Sequence, residues 1–433
     1  MTVEGFAPGT LSWGLGIEDT CVYSADGTPM LDEHALTQHD RLWRDDLRQV
    51  KDLGATFLRY GVGWPAVHVA RGRFDWSAFD RAVDECQRLD IAIVADLVHY
   101  GTPAWLDGSF CAPEYPEVYA EYVRAFGERY RGAVAHVTPV NEPLTTASFC
   151  GLRGVWPPYG TGWQGWVDVT VAIADGIVRG VHELREAAPE IGIVHVEASS
   201  DFFTEDPVLA DDVAFHTRLG WLPTDLILGR VGENHDLSDW LQRHGVGDDV
   251  LARLRARPAD FDIMGVNYYP DLTPRLLESV EGRVIQQTYD RGRDGLETAL
   301  RGFAERYGKP LLITETSIEG DDARRARWMA DAADAVRELA ADGLDVRGLT
   351  WWPLFDFIDW SWASGGKYVE EFQDKGLIER ADANAEDGFL RRMGLIRLDR
   401  PADGALTRRR TPAADAYADA AKSPGATAGD PGA

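Results

Sequence analysis

Ala135-His136-Val137-Thr138-Pro139-Val140-Asn141-Glu142-Pro143 is the stretch on which the reading of this chain turns. An apolar run rises through Val134 and Val137, then ends in two polar residues and a proline, which cannot donate to a sheet. A buried parallel strand reads this way where its last residues emerge at the open end of a barrel. A glutamate is costly at such a rim unless it has a task. Pro310-Leu311-Leu312-Ile313-Thr314-Glu315-Thr316 ends the same way far downstream. Glu142 and Glu315, on the tips of two buried strands, suggest the paired carboxylates that break a glycosidic bond.

The alternation repeats outward from that stretch. Leu11-Ser12-Trp13-Gly14 is a short apolar run near the start. Leu42, Trp43, Leu47, Val50 and Leu53 recur at helical spacing, with Gly54 as the stop. Residues 55–60 have the pattern of a buried strand, Ser77 is placed to cap a helix through Leu89, and residues 91–100 form an apolar strand with a polar end. The pattern predicts helices over 117–130, 163–188, 296–307, 321–341 and 412–421, the fourth opening on two acids that suit its positive end. It predicts strands over 191–197, 261–270 and 346–355. Roughly eight strands separated by helices make a single (β/α)₈ barrel over residues 1–421. A doubly wound fold would want a Gly-rich turn leading into a helix; Trp13-Gly14-Leu15-Gly16 is a weak candidate, and no helix follows promptly. Residues 422–433, rich in Ala, Gly and Pro, are expected to be disordered. Residues 201–258 and 362–390 are expected to wall the entrance, the latter with an acidic run of Glu370, Glu371, Asp374 and Glu379.

Composition narrows the function. With 45% hydrophobic residues the chain can bury a large core, and its 15 Trp crowd the same regions as the acidic tips. Trp faces stack on sugar rings as readily as they fill cores. A net charge of −27 argues against nucleic acid and anionic membrane as partners. Residues 1–9 carry no basic region followed by an apolar core, so no signal peptide is expected, and no apolar run is long enough for a bilayer. The four cysteines are far apart and form no CxxC pair, as in a cytoplasmic protein with reduced thiols.

In a barrel of this kind chemistry gathers where the strands finish. Those ends supply Glu18, Arg59, His99, Asn141 with Glu142, Glu197, Asn267 with Tyr269, Glu315, and Trp352 with Asp359 and Trp360 just beyond it. Acids, amides and flat aromatics together suit a carbohydrate site. His195 and Glu197 alternate and so point the same way, toward interior polar packing near the site; no further ligands converge there for a metal.

Here the chain resembles glycoside hydrolase family 1, the β-glucosidase family. Leu97-Val98-His99-Tyr100-Gly101-Thr102-Pro103-Ala104-Trp105-Leu106 is similar to the family's strand-three histidine segment, and Pro139–Pro143 to its acid/base motif. Gly265-Val266-Asn267-Tyr268-Tyr269, Ile313-Thr314-Glu315 and Trp352–Trp360 resemble its strand-six, nucleophile and strand-eight segments. Met393–Asp399 and Arg408–Tyr417 match its closing segment. The chain departs from the family at four places. Glu315 is followed by Thr316-Ser317 in place of Asn-Gly, and Glu18 or Cys21 stands for the usual glutamine. Asp359 replaces a glutamate, and Tyr100 a common tryptophan. All four bear on which sugar is taken.

The resemblance implies a retaining exo-β-glycosidase without cofactor or metal, acting on a small β-glycoside or oligosaccharide. Glu315 is then the nucleophile, kept ionised by Arg59, and Glu142 the general acid and later base, its pKa raised by burial and by Glu315. Asn141 contacts the sugar 2-hydroxyl, and Tyr269 fixes the angle of Glu315. His99, Asp359 and Trp360 bind hydroxyls, Trp352 forms the platform, and Glu18 is a glycone ligand or a surface acid. Asn267 reads as purely structural. Two alternatives stand beside this: a related endo-glycanase or transglycosidase, and an inactive barrel that only binds glycans.

Overall fold

The computed structural model describes residues 6–360, 390–399 and 405–422. Its frame is a closed barrel of parallel strands. These are β1 (Ser12–Gly16), β2 (Phe57–Gly61), β3 (Ala92–Asp96), β4 (His136–Thr138), β5 (Gly192–Ala198), β6 (Ile263–Asn267), β7 (Leu311–Thr316) and β8 (Val346–Trp351). Each pairs with its neighbour in sequence, and β8 returns to pair with β1, Ser12 facing Gly348. Around them run α1 (His39–Asp52), α2 (Ser77–Leu89), α3 (Tyr115–Tyr130), α4 (Gly162–Ala187), α5 (Ala210–Ile227), α6 (Gly292–Tyr307), α7 (Asp322–Ala341) and α8 (Pro412–Lys422). The expected (β/α)₈ barrel is therefore the fold. None of the described helices is long and apolar enough to cross a membrane.

Helix starts follow local chemistry. Asp321 caps α7, its carboxylate accepting the Arg324 N–H at 2.7 Å. At α2 the expectation needs correction. Ser77 is the first helical residue, Trp76 holds the cap position, and Asp75 accepts the Ser77 N–H at 3.0 Å. The acid two residues upstream does the capping work. Lys422, assigned by sequence to the tail, completes α8; residues 423–433 lie outside the described residues.

Strand parity sorts the core into two layers. Leu58 and Tyr60 face out from β2 into the large cluster between strands and helices, as Ile93, Ile313 and Leu349 do on other strands. Phe57, Val94, Val194, Val196, Ile263 and Leu312 face in and, with Phe6, fill the lower barrel. The Phe6 ring meets Phe57 edge-on, centroids 4.9 Å apart. Burying each such side chain contributes about 1.5–3 kcal/mol. Gly14 and Gly16 make room for this interior: a Cβ on Gly14 would stand 2.1 Å from the Phe57 ring, and one on Gly16 1.8 Å from Trp352.

Alternation alone would aim Glu315 outward, since Leu312 faces in and Ile313 out. The ladder slips there. Val266 pairs with Ile313, and the next pair is Asn267 with Glu315, leaving Thr314 unmatched. Such a bulge turns the following side chain back toward the interior. His195 and Glu197 do share a side, but it is the outer one. His195 meets Thr224 of α5 at 2.8 Å and stacks on Phe261. Glu197 accepts the N–H groups of Leu144 and Ala198. The inner positions of β5 belong to Val194 and Val196, which corrects the expected interior packing. A three-stranded sheet of Asp201–Phe203, Pro274–Val280 and Arg283–Thr288, not foreseen from sequence, lies beyond the strand ends.

Candidate active site

Above the apolar plug the same strands present polar side chains. Arg59, with no exposed surface, is the hub. One of its terminal nitrogens donates to Glu315. The other donates to Asp96 and, at 2.7 Å, to the Asn141 side-chain oxygen. The guanidinium also lies 4.7 Å from the centre of the Trp352 ring, in cation–π range.

His99 points Nδ1 at Asp19 (2.7 Å) and Asp96 (2.9 Å), and its ring lies parallel to Trp352 with centroids 5.5 Å apart. Burial works to discharge the imidazole, but the two acids outweigh it and hold it well above its ordinary value. Burial likewise raises Asp19, to about 6, against the pull of His99. Asp19, Asp96 and His99 bring donor atoms within 4.8 Å of one another, the one such group among the described residues. It does not fit a divalent cation. Arg59 already occupies Asp96, and the imidazole itself is held as a cation there.

Glu142 follows β4 in the left-handed region, φ 42° and ψ 72°, a conformation costing a non-glycine residue roughly 1–3 kcal/mol. Neighbouring strands impose it. The Asn141 N–H donates to Val98 O at 2.8 Å and the Glu142 N–H to Val196 O at 3.2 Å. Pro143, whose fixed φ suits a first helical position, then opens Pro143–Ala147. Both carboxyl oxygens of Glu142 are held: Tyr100 OH donates to one and Asn267 Nδ2 to the other, each at 2.8 Å. Asn141 Nδ2 donates in turn to Tyr100 OH at 2.9 Å, and Thr314 donates to Asn267 at 2.6 Å.

Glu315 accepts from Tyr269 OH at 2.6 Å as well as from Arg59. Its carboxyl is nevertheless raised, to about 7. Burial is the largest influence; Arg59 opposes it, and the Glu142 carboxyl adds to the rise. This corrects the expectation that Arg59 holds the group's pKa down. A guanidinium shared with Asp96 and Asn141 does not offset complete desolvation.

Glu18, His99, Glu142 and Tyr269 line one cavity together with Glu315, Trp352, Asp359 and Trp360. Arg59 and Asn141 have no exposed surface and lie just beneath it. Glu18 is 2% exposed, a buried acid rather than a surface one, and accepts the Trp352 indole N–H at 2.9 Å. The Trp360 indole N–H is buried with no partner among the described residues. The same cavity is lined by Phe149, Trp163, Trp166 and Phe202. Phe202, His216 and Leu219 come from the segment 201–258, as expected of an entrance wall. Residues 361–389, with Glu370, Glu371, Asp374 and Glu379, lie outside the described residues.

Sequence reasoning missed Asp19, Asp96 and the role of Asn267. The two aspartates follow apolar runs at strand ends, the same signal that singled out Glu142. Asn267, structural on the sequence reading, donates to Glu142.

Comparison with known proteins bears on the same architecture. The profile described as Glycosyl hydrolase family 1 matches residues 29–386. A wheat (Triticum aestivum) 4-hydroxy-7-methoxy-3-oxo-3,4-dihydro-2H-1,4-benzoxazin-2-yl glucoside beta-D-glucosidase is 25% identical over 422 residues, covering 81% of this chain and 72% of its own. A beta-glucosidase of Agrobacterium sp. is 23% identical over 366 residues, covering 75% and 77%. The family 1 beta-glucosidase of Thermotoga maritima superposes with a TM-score of 0.78 over 96% of this chain and 98% of its own, at 17% identity, a likeness of fold. With a family match over most of its length and two buried carboxyls at the rim of a closed barrel, this chain belongs to glycosyl hydrolase family 1 and is a glycoside hydrolase.

Proposed function

We propose that the chain is a retaining exo-β-glycosidase, releasing the terminal non-reducing sugar of a β-glycoside in two displacements. In the first, a Glu315 oxygen bonds to the anomeric carbon while the bond to the aglycone oxygen breaks, and Glu142 gives that oxygen its proton. In the second, water attacks the anomeric carbon, Glu142 takes its proton, and the bond to Glu315 breaks. Arg59 and Tyr269 aim Glu315; Tyr100 and Asn267 aim Glu142. As placed, Asn141 acts on Glu142 through Tyr100. His99, Asp359 and the indole N–H of Trp360, which has no partner among the described residues, are the hydroxyl ligands, and Trp352 is the platform.

The observation that carries this reading is geometric. Glu142 and Glu315 line one cavity and lie close enough for the first to raise the pKa of the second. Exo action is supported by a cavity whose inner end meets the buried Arg59 layer and the plug beneath it, a shape that admits a chain by its tip. Proton NMR of the sugar released from an aryl β-glycoside is expected to show the β-anomer first; α-anomer first would mean inversion and end this mechanism. A short oligosaccharide should yield single sugars from one end. Internal fragments would favour the endo-glycanase, and longer products the transglycosidase.

A further inference from the structure

Charged groups converge on the inner end of the cavity from five strand ends, and their pairing leaves a remainder. Arg59 is taken by Asp96 and Glu315, and His99 by Asp19 and Asp96. Among the described residues Glu18 is met only by neutral donors: the indole N–H of Trp352, the Thr20 N–H and the Thr20 hydroxyl. Three donors on one carboxyl suit its ionised, acceptor-only form, and about one of its four acceptor sites stays open. No Lys, Arg or His among the described residues pairs with it, although it is 2% exposed and lines the cavity. Behind it stands another acid, Glu33, fully buried, its Oε1 without a partner among the described residues; burial, then Glu18, holds this group well above the carboxylate range. The arginines of the cavity serve elsewhere. Arg391 pairs with Glu319 at 3.1 Å and lies in the field of Asp359, Arg153 sits over the Phe149 ring, and Arg275 belongs to the outer sheet. A buried carboxylate without a counter-ion is costly, and a ligand that brings the missing charge relieves that cost.

We propose that this end of the cavity is built for a cationic glycone, an amino sugar whose ammonium group pairs with Glu18. The inference rests on the glycosidase reading above. A neutral sugar hydroxyl fills the open acceptor site of Glu18 but leaves the charge in place. A uronide or phosphorylated glycone adds a negative charge beside Glu18 and is disfavoured.

The test compares the unmodified enzyme on 4-nitrophenyl β-glucoside, on the same glucoside with one hydroxyl replaced by an amine at each ring position in turn, and on the β-glucuronide. At least one amino glycoside is expected to have a kcat/KM about tenfold or more above the neutral parent, with the glucuronide lowest. In Glu18→Gln the ratio of amino to neutral kcat/KM is expected to fall about tenfold or more, whichever way the neutral rate moves. Calorimetry with free glucosamine and its amino isomers against glucose, on the unmodified enzyme, reads the same preference without a variant or turnover. No amino sugar preferred over its neutral parent, or a ratio unmoved in a folded Glu18→Gln, overturns the inference. Cleavage of the neutral glucoside without amine preference defeats this inference alone. Amine-selective binding without cleavage of any glycoside upholds it and defeats the glycosidase reading.

Discussion

The lower and upper halves of the barrel interior are built from the same strands and do opposite work. Phe57, Val94, Ile263 and Leu312 fill the lower half. Two to four residues farther along the same strands stand Arg59, Asp96, Asn267 and Glu315. The lower half gains free energy by burying apolar surface and offers a floor that does not yield. The upper half gathers Glu18, Asp19, Asp96, Glu142 and Glu315 around two cations, Arg59 and His99, and gives up stability for pre-set electrostatics. Stability and chemistry are thus separated by about two residues of strand, roughly 7 Å.

Substitutions that respect this division should separate activity from stability. Glu315→Ala is expected to lower kcat by about 10⁴-fold or more while the melting temperature holds or rises, since a desolvated carboxyl leaves and Arg59 keeps Asp96. Added azide should restore cleavage of an activated glycoside, giving the glycosyl azide of opposite anomeric configuration. A variant that keeps its turnover would remove Glu315 from the reaction.

In the lower half, Phe57→Ala should cost about 3–5 kcal/mol in denaturant unfolding and leave kcat per folded molecule nearly unchanged. A large loss of kcat with little loss of stability would mean that the plug is part of the site. Asn267→Ala, in the upper half, removes one of the two donors to Glu142 and is expected to lower kcat about tenfold.

The smallest effect is in pH. On the proposed mechanism Glu315 attacks as the anion, and its carboxyl is raised to about 7, so kcat/KM should fall as pH drops through about 7, well above an ordinary glutamate. The Tyr269 hydroxyl stabilises that anion, so Tyr269→Phe should move the acidic limb to higher pH by less than about one unit. An acidic limb near the ordinary glutamate value would show that Arg59 prevails over burial.

The same division explains what the sequence could reveal. Phe57-Leu58-Arg59-Tyr60-Gly61 is a run in which a lone arginine among apolar residues stands out, and parity puts it on the face of Phe57. Glu142 stands out because a strand, an Asn-Glu pair and a proline follow in order. Glu315 was legible as a residue but not as an inward one, because its direction depends on the slip at Thr314 and on the strand beside it. The balance between burial and Arg59 was closed to sequence for the same reason: Asp96 and Asn141, which share that guanidinium, come from other strands. Ser77 looked like a cap because the type is right; the chain turned one residue earlier and Asp75 took the role. The sheet formed by Asp201–Phe203 with Pro274–Val280 joins segments far apart in the chain, and neither carries a pattern that names its partner.

The central claim is that Glu315 bonds covalently to the sugar while Glu142 serves the departing oxygen. Incubation with a panel of activated 2-deoxy-2-fluoro β-glycosides, amino and neutral, followed by peptide mass spectrometry, tests it directly. The expected result is one glycosyl unit per chain, carried on the peptide containing Glu315, with activity lost in step. A label on any other residue, or turnover of these reagents with no labelled peptide, would contradict it.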